Sequence, residues 1–381
     1  MKDKNTKILF LSTVHNYPDL RIINKELYSL KENYTNLFYI GQHSSAESFY
    51  ENEIKVIPLK IVINRFDRIF KLQYDAYQQI IIIKPNIIHF HDPELIPLMW
   101  FLKKKLKLKV IFDVHESVAE SFKDKVWLPK FARKVLPCIY SFLEKYLIKN
   151  FDEIIIVKES FWKIYGNGAI VIKNFPKIIL AKSLSNKDFS GHLNLVYAGV
   201  ITEDRGIFTI LNVFNKLLEF NYDISLTLIG RVDSSELETK IINFINENNL
   251  KTKIILTGQI AISDVYEILK NSHFGFSLLR PTISYKNAIS TKIFDYMANS
   301  IPYIVSNFKI YNEFTVNADT GITANYEDVT EITDKVFKLL NDRSRLNQLG
   351  KNGFKMVKTK WNWKSEEVKL LNLYKKVLNQ N

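Results

Sequence analysis

Residues 290–308 read STKIFDYMANSIPYIVSNF, a polar turn followed by a short helical pattern and then by an apolar run that begins near a proline. Ser or Thr just before a helical pattern is a common helix cap. The run IPYIVS, residues 301–306, has the β-branched and aromatic content of a buried strand. The segment therefore predicts one helix-to-strand unit of the kind that builds parallel sheets.

The same alternation of short β-rich runs and longer helical patterns extends along the whole chain. Strand-like runs include KILFLSTV (7–14), NIIHFH (86–91) and KVIFDV (109–114) in the first half, and LNLVYAG (193–199) and SLTLIG (225–230) in the second. Continuous Ile, Val and Phe runs indicate strands that are buried on both faces. We therefore expect an α/β fold with mostly parallel sheets.

The length of 381 residues favours two domains, because one core of this size is uncommon. KIILAKSLSNKDFSGH (177–192) breaks the alternation, and its second half has a composition typical of a linker. The predicted division is an N-terminal Rossmann-like domain at 1–178, a linker at 179–192, a C-terminal Rossmann-like domain at 193–360 and a terminal helix at 361–381. Doubly wound domains of this kind bind ligands at the carboxyl ends of their strands.

The composition indicates a reducing compartment. Cys138 is the one cysteine, which excludes an internal disulfide and a metal centre built from cysteines. The first apolar run is too short for a signal peptide, and no stretch approaches the roughly 18 apolar residues of a membrane span. We therefore expect a cytoplasmic protein.

Positive charge is concentrated in one part of the first half. The formal net charge is +13, and residues 101–150 hold 12 Lys and Arg against 5 Asp and Glu. Basic residues interleaved with aromatic ones suit an anionic membrane surface. The residues expected to form this surface are Trp100, Lys103, Lys104, Lys105, Trp127, Lys130 and Arg133. Two ordinary domain helices with solvated lysines are the alternative, and nucleic acid is not expected because no recognition motif accompanies the charge.

Polar residues follow three strand-like runs of the first half. HNYPDLRI (15–22) contains no glycine, which disfavours a GxGxxG dinucleotide site, and its Asp19 and Arg21 are candidates to face a ligand. HFHDPEL (89–95) and DVHE (113–116) add three histidines and several acids.

These histidines raise the question of a metal site. His89 and His91 lie two residues apart on a strand and so share one face, with Asp92 and His115 at strand ends. However, neither the HxHxD spacing of metallohydrolases nor a helical HExxH is present. We therefore predict polar residues that line a ligand site and no metal.

Two glycine-containing strand ends in the second half are suited to phosphate. In YAGVITEDRGIFTIL (197–211) the strand ends at Gly199, the loop carries Arg205 and Gly206, and a helix follows. Arginine beside a helix start can bind phosphate through its charge and through backbone N–H groups. Gly230, after the next strand, lets a ligand approach the backbone.

The segment around residue 290 completes this pattern. The helix start at Thr291 and Lys292 offers N–H groups and a positive charge that suit a diphosphate. Asp295 lies one turn further, where a carboxylate can accept two hydrogen bonds from a ribose diol. Eight residues before it stands Asn287, an amide. The pattern predicts a nucleotide diphosphate bound by the C-terminal domain.

Motifs in order along nearly the whole chain resemble the retaining glycosyltransferases of family 4, the group 1 transferases. They are VHNYPDLRIINKELYSL, HFHDPELIP with VIFDVHES, KNFP, YAGVITEDRG, STKIFDYMANSIPYIVSNF and KWNWKSEEVKLLNLY. The resemblance implies the GT-B fold, in which two Rossmann-like doubly wound domains face a cleft and the C-terminal helix packs back on the N-terminal domain.

The resemblance also implies transfer of a sugar from a nucleotide-diphosphate sugar with retained configuration. We expect a glycan or polyprenyl-linked acceptor, surface polysaccharide synthesis, peripheral attachment to the inner face of the plasma membrane, and no cofactor besides the donor substrate. Carried over by position or expected at strand ends, the donor-binding residues are Gly199, Arg205, Gly206, Gly230, Thr291, Lys292 and Asp295. The catalytic positions are His115 and Asn287, and the acceptor-binding ones are Asp19, Arg21, His91 and Asp92.

Three positions depart from the family pattern. The first acid of its E-x7-E motif falls on Asn287, an arginine of its donor loop falls on Val200, and the glycine after its helix falls on Ser300. Asn287 carries no charge to favour a developing oxocarbenium ion, and Lys292 or Arg280 would have to replace the cation missing at Val200. A nucleotide-sugar-binding subunit without catalysis and a nucleotide-sugar epimerase therefore remain alternatives.

Overall fold

The computed structural model describes residues 2–62, 64–115, 118, 130–177, 187–189, 191–220 and 222–379. It divides into two compact units. The N-terminal unit comprises Met1–Asn174 and Trp363–Asn381, and the C-terminal unit comprises Phe175–Asn362. Phe175 packs edge-on against Phe294 of the C-terminal unit, with ring centroids 4.9 Å apart. Most of the expected linker at 179–192 lies outside the described residues.

The N-terminal unit is built on one eight-stranded sheet. Its strands are β1 (Asp3–Asn16), β2 (Tyr34–Gln42), β3 (Phe49–Glu51), β4 (Ile54–Leu59), β5 (Ile87–Phe90), β6 (Lys109–Val114), β7 (Glu153–Ile156) and β8 (Ile170–Val171). They lie in the order β3-β4-β2-β1-β5-β6-β7-β8. Only the edge pair β3–β4 is antiparallel.

Helices cover both faces of this sheet. They are α1 (Tyr28–Leu30), α2 (Arg65–Asp67), α3 (Gln73–Ile83), α4 (Ile96–Leu106), α5 (Lys130–Ile148), α6 (Trp162–Tyr165) and the C-terminal helix, α14 (Trp363–Asn379). π-helical segments at Ile22–Leu27 and Arg68–Leu72 precede α1 and α3. In β1, Leu9 and Leu11 pack into one core cluster, whereas Ile8 and Phe10 pack into another on the opposite face. This double burial explains why the strand reads as a continuous apolar run.

The C-terminal unit is built on a six-stranded, fully parallel sheet. Its strands are β9 (Leu193–Ala198), β10 (Ile224–Ile229), β11 (Ile254–Gly258), β12 (Phe274–Ser277), β13 (Tyr303–Ser306) and β14 (Gly321–Ala324). The order is β11-β10-β9-β12-β13-β14. Counted from β9, this is the 3-2-1-4-5-6 order of a doubly wound nucleotide-binding sheet.

The remaining helices are α7 (Ile207–Leu218), α8 (Ser235–Glu247), α9 (Ile262–Lys270), α10 (Ile283–Lys286), α11 (Lys292–Ala298), α12 (Val329–Asn341), α13 (Arg343–Thr359) and α14 (Trp363–Asn379). The last of these belongs to the N-terminal unit, where Trp363, Leu370 and Tyr374 share a core cluster with Ile8 and Phe10 of β1. The predictions of two mostly parallel doubly wound domains and of a C-terminal helix that packs on the first of them are confirmed.

We expect Trp363→Ala to destabilise the N-terminal unit, because Trp363 is buried in its core and its indole N–H donates to Ser29 Oγ at 2.8 Å. Truncation of a buried tryptophan costs roughly 3–5 kcal/mol. Urea denaturation measures the loss, with Val368→Ala, an exposed position on the same helix, as the control. Equal unfolding midpoints for the two variants would contradict this packing.

Candidate functional site

A cavity of about 610 Å³ lies in the C-terminal unit at the carboxyl ends of β9, β10 and β12. Its walls include Gly199 after β9, Gly230 after β10 and Leu279 after β12. β9 and β12 are neighbours in the sheet at the point where the strand order reverses. A doubly wound sheet leaves a ligand-binding crevice at this switch point, which explains the position of the cavity.

The two glycines keep this part of the cavity open. Gly199 and Gly230 both have φ of +130°, a conformation that residues with a side chain rarely adopt. A Cβ atom at Gly230 would lie 2.3 Å from the carbonyl oxygen of Gly199, and one at Gly199 would lie 3.7 Å from Lys292 Nζ. Glycine at both places therefore lets a ligand approach the backbone and the lysine together.

Lys292 brings a buried cation to the cavity wall. Its side chain is 9% exposed, and Nζ makes no hydrogen bond within the described part of the chain. Nζ lies 3.8 Å from the centre of the Tyr197 ring, a cation–π contact. Burial lowers the pKa of Lys292 well below its usual value, and nearby Arg205 lowers it further, whereas Asp295 opposes the shift. Such an ammonium group is ready to gain an anionic partner.

Arg205 is positioned by a tight turn. It ends the 3₁₀ turn Glu203–Arg205, which Thr202 caps by accepting from the backbone N–H of Arg205. The guanidinium Nη1 donates to the carbonyl of Val200 at 3.3 Å, and Arg205 lines the cavity. Gly206 is not among the lining residues; its φ of +76° lets the chain turn into α7.

The segment around residue 290 folds largely as expected. α11 begins at Lys292, and Thr291 and Asp295 line the cavity. Thr291 makes no side-chain cap, and Ser290 Oγ instead accepts a hydrogen bond from Ser277 Oγ at 3.0 Å. The start of α11 is thus fixed to β12 through a serine pair rather than by a capping hydroxyl.

The positions that depart from the family pattern have different surroundings. Asn287 ends α10 as an exposed residue, and it is the next residue, Ala288, that lines the cavity. Arg280 pairs with Asp204 at 3.3 Å and is not a lining residue, which leaves Lys292 as the nearer substitute for the missing cation.

Sequence reasoning missed several residues of the cavity. Arg231 lines it one residue after Gly230, and Ile260, Val265 and Tyr285 form apolar parts of its wall. The sequence IGRV contained the signal for Arg231, because a residue directly after a strand-end glycine faces the same crevice. The apolar residues could not be recognised as cavity residues, since their sequence pattern is that of ordinary helix and loop positions.

The N-terminal unit has its own polar cluster at the carboxyl ends of β1, β5 and β6. β1 and β5 flank the switch point of its sheet. Asp92 is buried and accepts from Ser12 Oγ at 2.9 Å and from the N–H of Val14 at 3.1 Å. It therefore holds the end of β1 and does not cap the short helical turn that follows it.

Asp19 and His15 are the partly exposed members of this edge. Asp19 Oδ1 accepts from the N–H groups of Arg21 and Ile22, both at 2.8 Å, and His15 Nδ1 lies 3.2 Å from Asp19 Oδ2. Burial acts to raise the pKa of Asp19, but the hydrogen bonds with His15 and the backbone hold it below its usual range. The bond with Asp19 raises the pKa of His15 against the effect of burial. His15 was not among the predicted site residues.

Arg21 lies inside the unit and faces two carboxylates. Its Nη2 lies 2.9 Å from Asp113 Oδ2, and its Nε lies 2.8 Å from Glu26 Oε1. Burial acts to raise the pKa of Asp113, but Arg21 and the nearby histidines hold it well below its usual range. Burial, followed by the charge of Asp113, raises the pKa of Glu26.

Three histidines surround the same carboxylates. His89 Nδ1 lies 2.8 Å from Tyr374 Oη of α14, and His91 Nδ1 lies 3.2 Å from His115 Nε2. Burial lowers the pKa of His91 to about 4, so its imidazole is neutral. His115 Nε2 lies 3.3 Å from Asp113 Oδ2, and His115 is only partly buried.

Four of these side chains have the composition of a metal-ligand set. Glu26, His89, His91 and Asp113 are buried, and one ligand atom from each lies within 4.8 Å of the others. The sequence predicted no metal here, because neither the HxHxD spacing nor a helical HExxH is present. Glu26 lies in the π-helical segment Ile22–Leu27, far along the chain from the histidines. The bulge of that segment turns Glu26 inward, and no motif spacing could have shown it.

The predicted membrane surface is only partly described. Trp100 is half-buried against the core, with Lys104 Nζ 3.7 Å from its ring, and Lys103 pairs with Asp152. Lys105 Nζ lies 5.5 Å from the ring of Phe101. Trp127 lies outside the described residues, and for Lys130 and Arg133 the helix α5 is described but the side chains are not.

The structure adds exposed apolar residues to this surface. α3, α4 and α5 pack against one face of the sheet through Ile80, Met99 and Ile148. The outer side of α5 exposes Phe131 (76%) and Phe142 (72%). No described helix has the length and hydropathy needed to cross a membrane.

Comparison with known proteins shows which family the C-terminal unit resembles. Residues 184–356 match the family model "Glycosyl transferases group 1". The capsular polysaccharide biosynthesis glycosyltransferase CapM of Staphylococcus aureus is 22% identical over 377 residues, which cover 94% of each chain. The matched family segment contains the cavity of the C-terminal unit and its lining residues.

Solved structures of other proteins share the fold of the whole chain. Sucrose-phosphate synthase from Thermosynechococcus elongatus has a TM-score of 0.76 at 16% identity, covering 99% of this chain and 100% of that one. HepE of Anabaena in complex with UDP-glucose has a TM-score of 0.71 at 11% identity, covering 97% and 99%. These likenesses confirm the GT-B fold. The C-terminal unit is thus similar in sequence to group 1 glycosyltransferases, and the chain as a whole has the GT-B fold.

Proposed function

We propose that this glycosyltransferase moves a sugar from a nucleotide-diphosphate sugar to a glycan or lipid-linked acceptor, with retention of configuration, in surface polysaccharide synthesis. One observation supports the donor most directly. The cavity at the switch point of the C-terminal sheet is lined by Lys292, Arg205 and Asp295. These side chains match the phosphate and sugar groups of a nucleotide diphosphate.

The diphosphate is assigned to Lys292 and Arg205. Lys292 Nζ is buried and makes no hydrogen bond within the described residues, so an anionic oxygen would supply the partner that it lacks. Arg205 adds a second charge from the turn before α7, and Gly199 allows the phosphates to approach both. During transfer these cations would stabilise the leaving diphosphate, and we propose that this chemistry needs no metal cofactor.

The nucleoside is assigned to the other walls of the cavity. Asp295 lies one turn into α11, where its carboxylate can accept two hydrogen bonds from the ribose diol. Ile260 and Val265 offer apolar surface to a base, and Arg231 lies at the adjacent strand end. HepE, which shares the fold, binds UDP-glucose, and this supports a nucleotide sugar as donor here.

Retention is proposed from the family resemblance. His115 and Asn287 stay the predicted contacts to the donor sugar. His115 is suited to donate a hydrogen bond to a sugar hydroxyl, since its ring is partly exposed while Nε2 faces Asp113. Asn287 can exchange hydrogen bonds with sugar hydroxyls, but it supplies no charge to the transition state.

The acceptor is assigned to the N-terminal unit. His15 and Asp19 are the partly exposed polar residues at the carboxyl end of β1, so they are the proposed direct contacts. Arg21, His91 and Asp92 are buried and bonded within the unit, and we propose that they position these contacts. CapM, a relative, acts in capsular polysaccharide biosynthesis, which supports a surface glycan as product.

A membrane surface would hold a lipid-linked acceptor close to the enzyme. Phe131, Phe142 and Tyr146 project from α5 beside the lysine-rich α4, and this combination suits an anionic bilayer. We therefore propose peripheral attachment of the protein through the outer side of these helices, at the inner face of the plasma membrane.

Asp295→Ala is expected to weaken donor binding by roughly 1–3 kcal/mol, the cost of losing hydrogen bonds to a charged group. Calorimetric titration with a panel of nucleoside diphosphates and nucleotide sugars measures the change. Asp204→Ala is the matched control, because Asp204 is an exposed aspartate that pairs with Arg280 and is not a lining residue. Unchanged donor affinity in folded Asp295→Ala protein would refute the assignment of the ribose.

Turnover tests the function itself. With a donor and a glycan acceptor, release of the nucleoside diphosphate together with extension of the acceptor is expected. Interconversion of the sugar on the nucleotide would instead indicate an epimerase. Tight binding without turnover across acceptors, including lipid-linked ones, would indicate a binding subunit.

Lys292→Met is expected to stabilise the empty protein while abolishing tight binding of nucleoside diphosphates. The variant removes a buried amino group that makes no hydrogen bond within the described residues. Its burial destabilises the wild-type protein by roughly 1–3 kcal/mol, and the variant relieves this cost. The lowered pKa of Lys292 means that the unfolded chain binds more protons than the folded one below the usual lysine range, so wild-type stability rises with pH. The stabilisation should therefore be larger at about pH 7 than at about pH 9. Thermal denaturation at both pH values, without and with UDP, tests this; a less stable variant at both would contradict it.

Vesicle flotation is expected to recover the protein with anionic vesicles and to recover less as salt increases, because charge attracts it to the surface. Phe142→Asp should weaken this binding about tenfold, the scale of one buried apolar side chain. Ile242→Asp, at an exposed position of α8 in the C-terminal unit, is the control. Absence of salt-sensitive binding in the wild type would contradict the membrane surface.

A further inference from the structure

The N-terminal unit contains a cluster of buried polar atoms that lack partners within the described residues. Nε2 of His89, Nε2 of His91, Oε2 of Glu26 and Nη1 of Arg21 are all buried and make no hydrogen bond within the described residues. His91 Nε2 lies 3.8 Å from Glu26 Oε2, and His89 Nε2 lies 3.9 Å from Asp113 Oδ2. Each such atom costs roughly 1–3 kcal/mol if nothing satisfies it. The histidine and carboxylate atoms of this set lie close enough together to share one partner.

We propose that Glu26, His89, His91 and Asp113 bind one divalent transition-metal ion, with zinc as the best match. Two imidazole nitrogens and two carboxylates form a ligand set that suits zinc. The ligand atoms lie within 4.8 Å of one another. Ligands in a tetrahedral zinc site are about 3.4 Å apart, so small inward rotations of the side chains would complete it.

Charge favours a cation as the occupant. Glu26 and Asp113 contribute two carboxylates, whereas Arg21 is the one buried basic side chain that contacts them in the described part of the unit. Two ionised carboxylates beside one guanidinium would favour a cation over an anion. Arg21 bonds to both carboxylates and would hold them in place behind the ion, a usual arrangement around metal ligands.

The remaining contacts fix the orientation of the imidazoles. With Nε2 of each ring on the ion, Nδ1 carries the proton. His89 Nδ1 then donates to Tyr374 Oη at 2.8 Å, and His91 Nδ1 donates to His115 Nε2 at 3.2 Å. Such outer bonds set the tautomer and the ring plane of metal-bound histidines.

The ion would be structural. Glu26, His89 and Asp113 are fully buried and His91 is 2% exposed, so a substrate cannot reach the centre. The site joins the segment Ile22–Leu27 to β5 and β6, and Tyr374 links it to the C-terminal helix. The proposed diphosphate contacts lie in the C-terminal unit and do not include it, whereas its ligand His91 contacts His115 of the proposed sugar site.

The test uses the full chain, purified without a metal column, stripped with chelator and titrated with Zn²⁺. We expect about one zinc to remain after desalting, measured by mass spectrometry, and a higher Tm than for the stripped protein. Mg²⁺ should give no such shift, because it prefers all-oxygen sites. No retained zinc, or an equal shift with Mg²⁺, would overturn the proposal.

Variants identify the ligands. Glu26→Gln and His91→Gln should lose the retained zinc, whereas His192→Gln should keep it, because His192 is an exposed histidine of the C-terminal unit paired with Asp223. Equal retention in all three would place the zinc elsewhere. If the first two do not fold, X-ray absorption on wild-type protein loaded with zinc decides, since two imidazole ligands are expected and none or one would refute the site. UDP binding should be the same with and without zinc, which separates this result from the donor assignment.

Discussion

Burial of parallel strands on both faces is the constraint on which both units depend. β1, β9 and β13 have apolar side chains on both sides, so few polar groups can lie along these strands. Polar chemistry is therefore confined to the carboxyl ends, and the reversal of strand order opens a crevice there. The cavity with Lys292 and the cluster with Asp113 are the two results of this rule, one in each sheet.

The two crevices differ in the charged side chains that they bury. In the C-terminal unit, Lys292 Nζ makes no hydrogen bond within the described residues and packs on the Tyr197 ring, while burial lowers the pKa of Lys292. In the N-terminal unit, Arg21 is matched by Asp113 and Glu26. The first arrangement favours an incoming anion, since binding relieves a cost already present in the fold. The second would favour a cation once both carboxylates are ionised.

Local sequence predicted the sheets and several of the residues that line the cavity of the C-terminal unit, because both depend on short-range patterns. A window of about a dozen residues is enough to recognise glycine after a strand, Arg205 in a turn and Lys292 at a helix start. Contacts between distant segments could not be predicted in this way. Glu26 meets His91 only because a π-helical segment turns it inward, and β4 was missed because Pro58 and Lys55 interrupt its apolar run. The membrane surface likewise needed the structure, which shows that Phe142 is exposed and that Trp100 packs inward.

The departures from the family pattern act on different parts of the proposed reaction. Val200 replaces a cation, but its carbonyl accepts from Arg205 Nη1 and so helps to keep the remaining arginine at the cavity. Ser300 replaces a glycine and adopts φ of +53°, so the turn after α11 keeps its shape at a cost in backbone strain. Neither change removes the diphosphate contacts of Lys292 and Arg205. Asn287 is different, because an amide cannot replace the charge of an acid beside a developing oxocarbenium ion. In the proposed reaction, the electrostatic contribution of that position would therefore have to come from the departing diphosphate itself, near Lys292 at the start of α11.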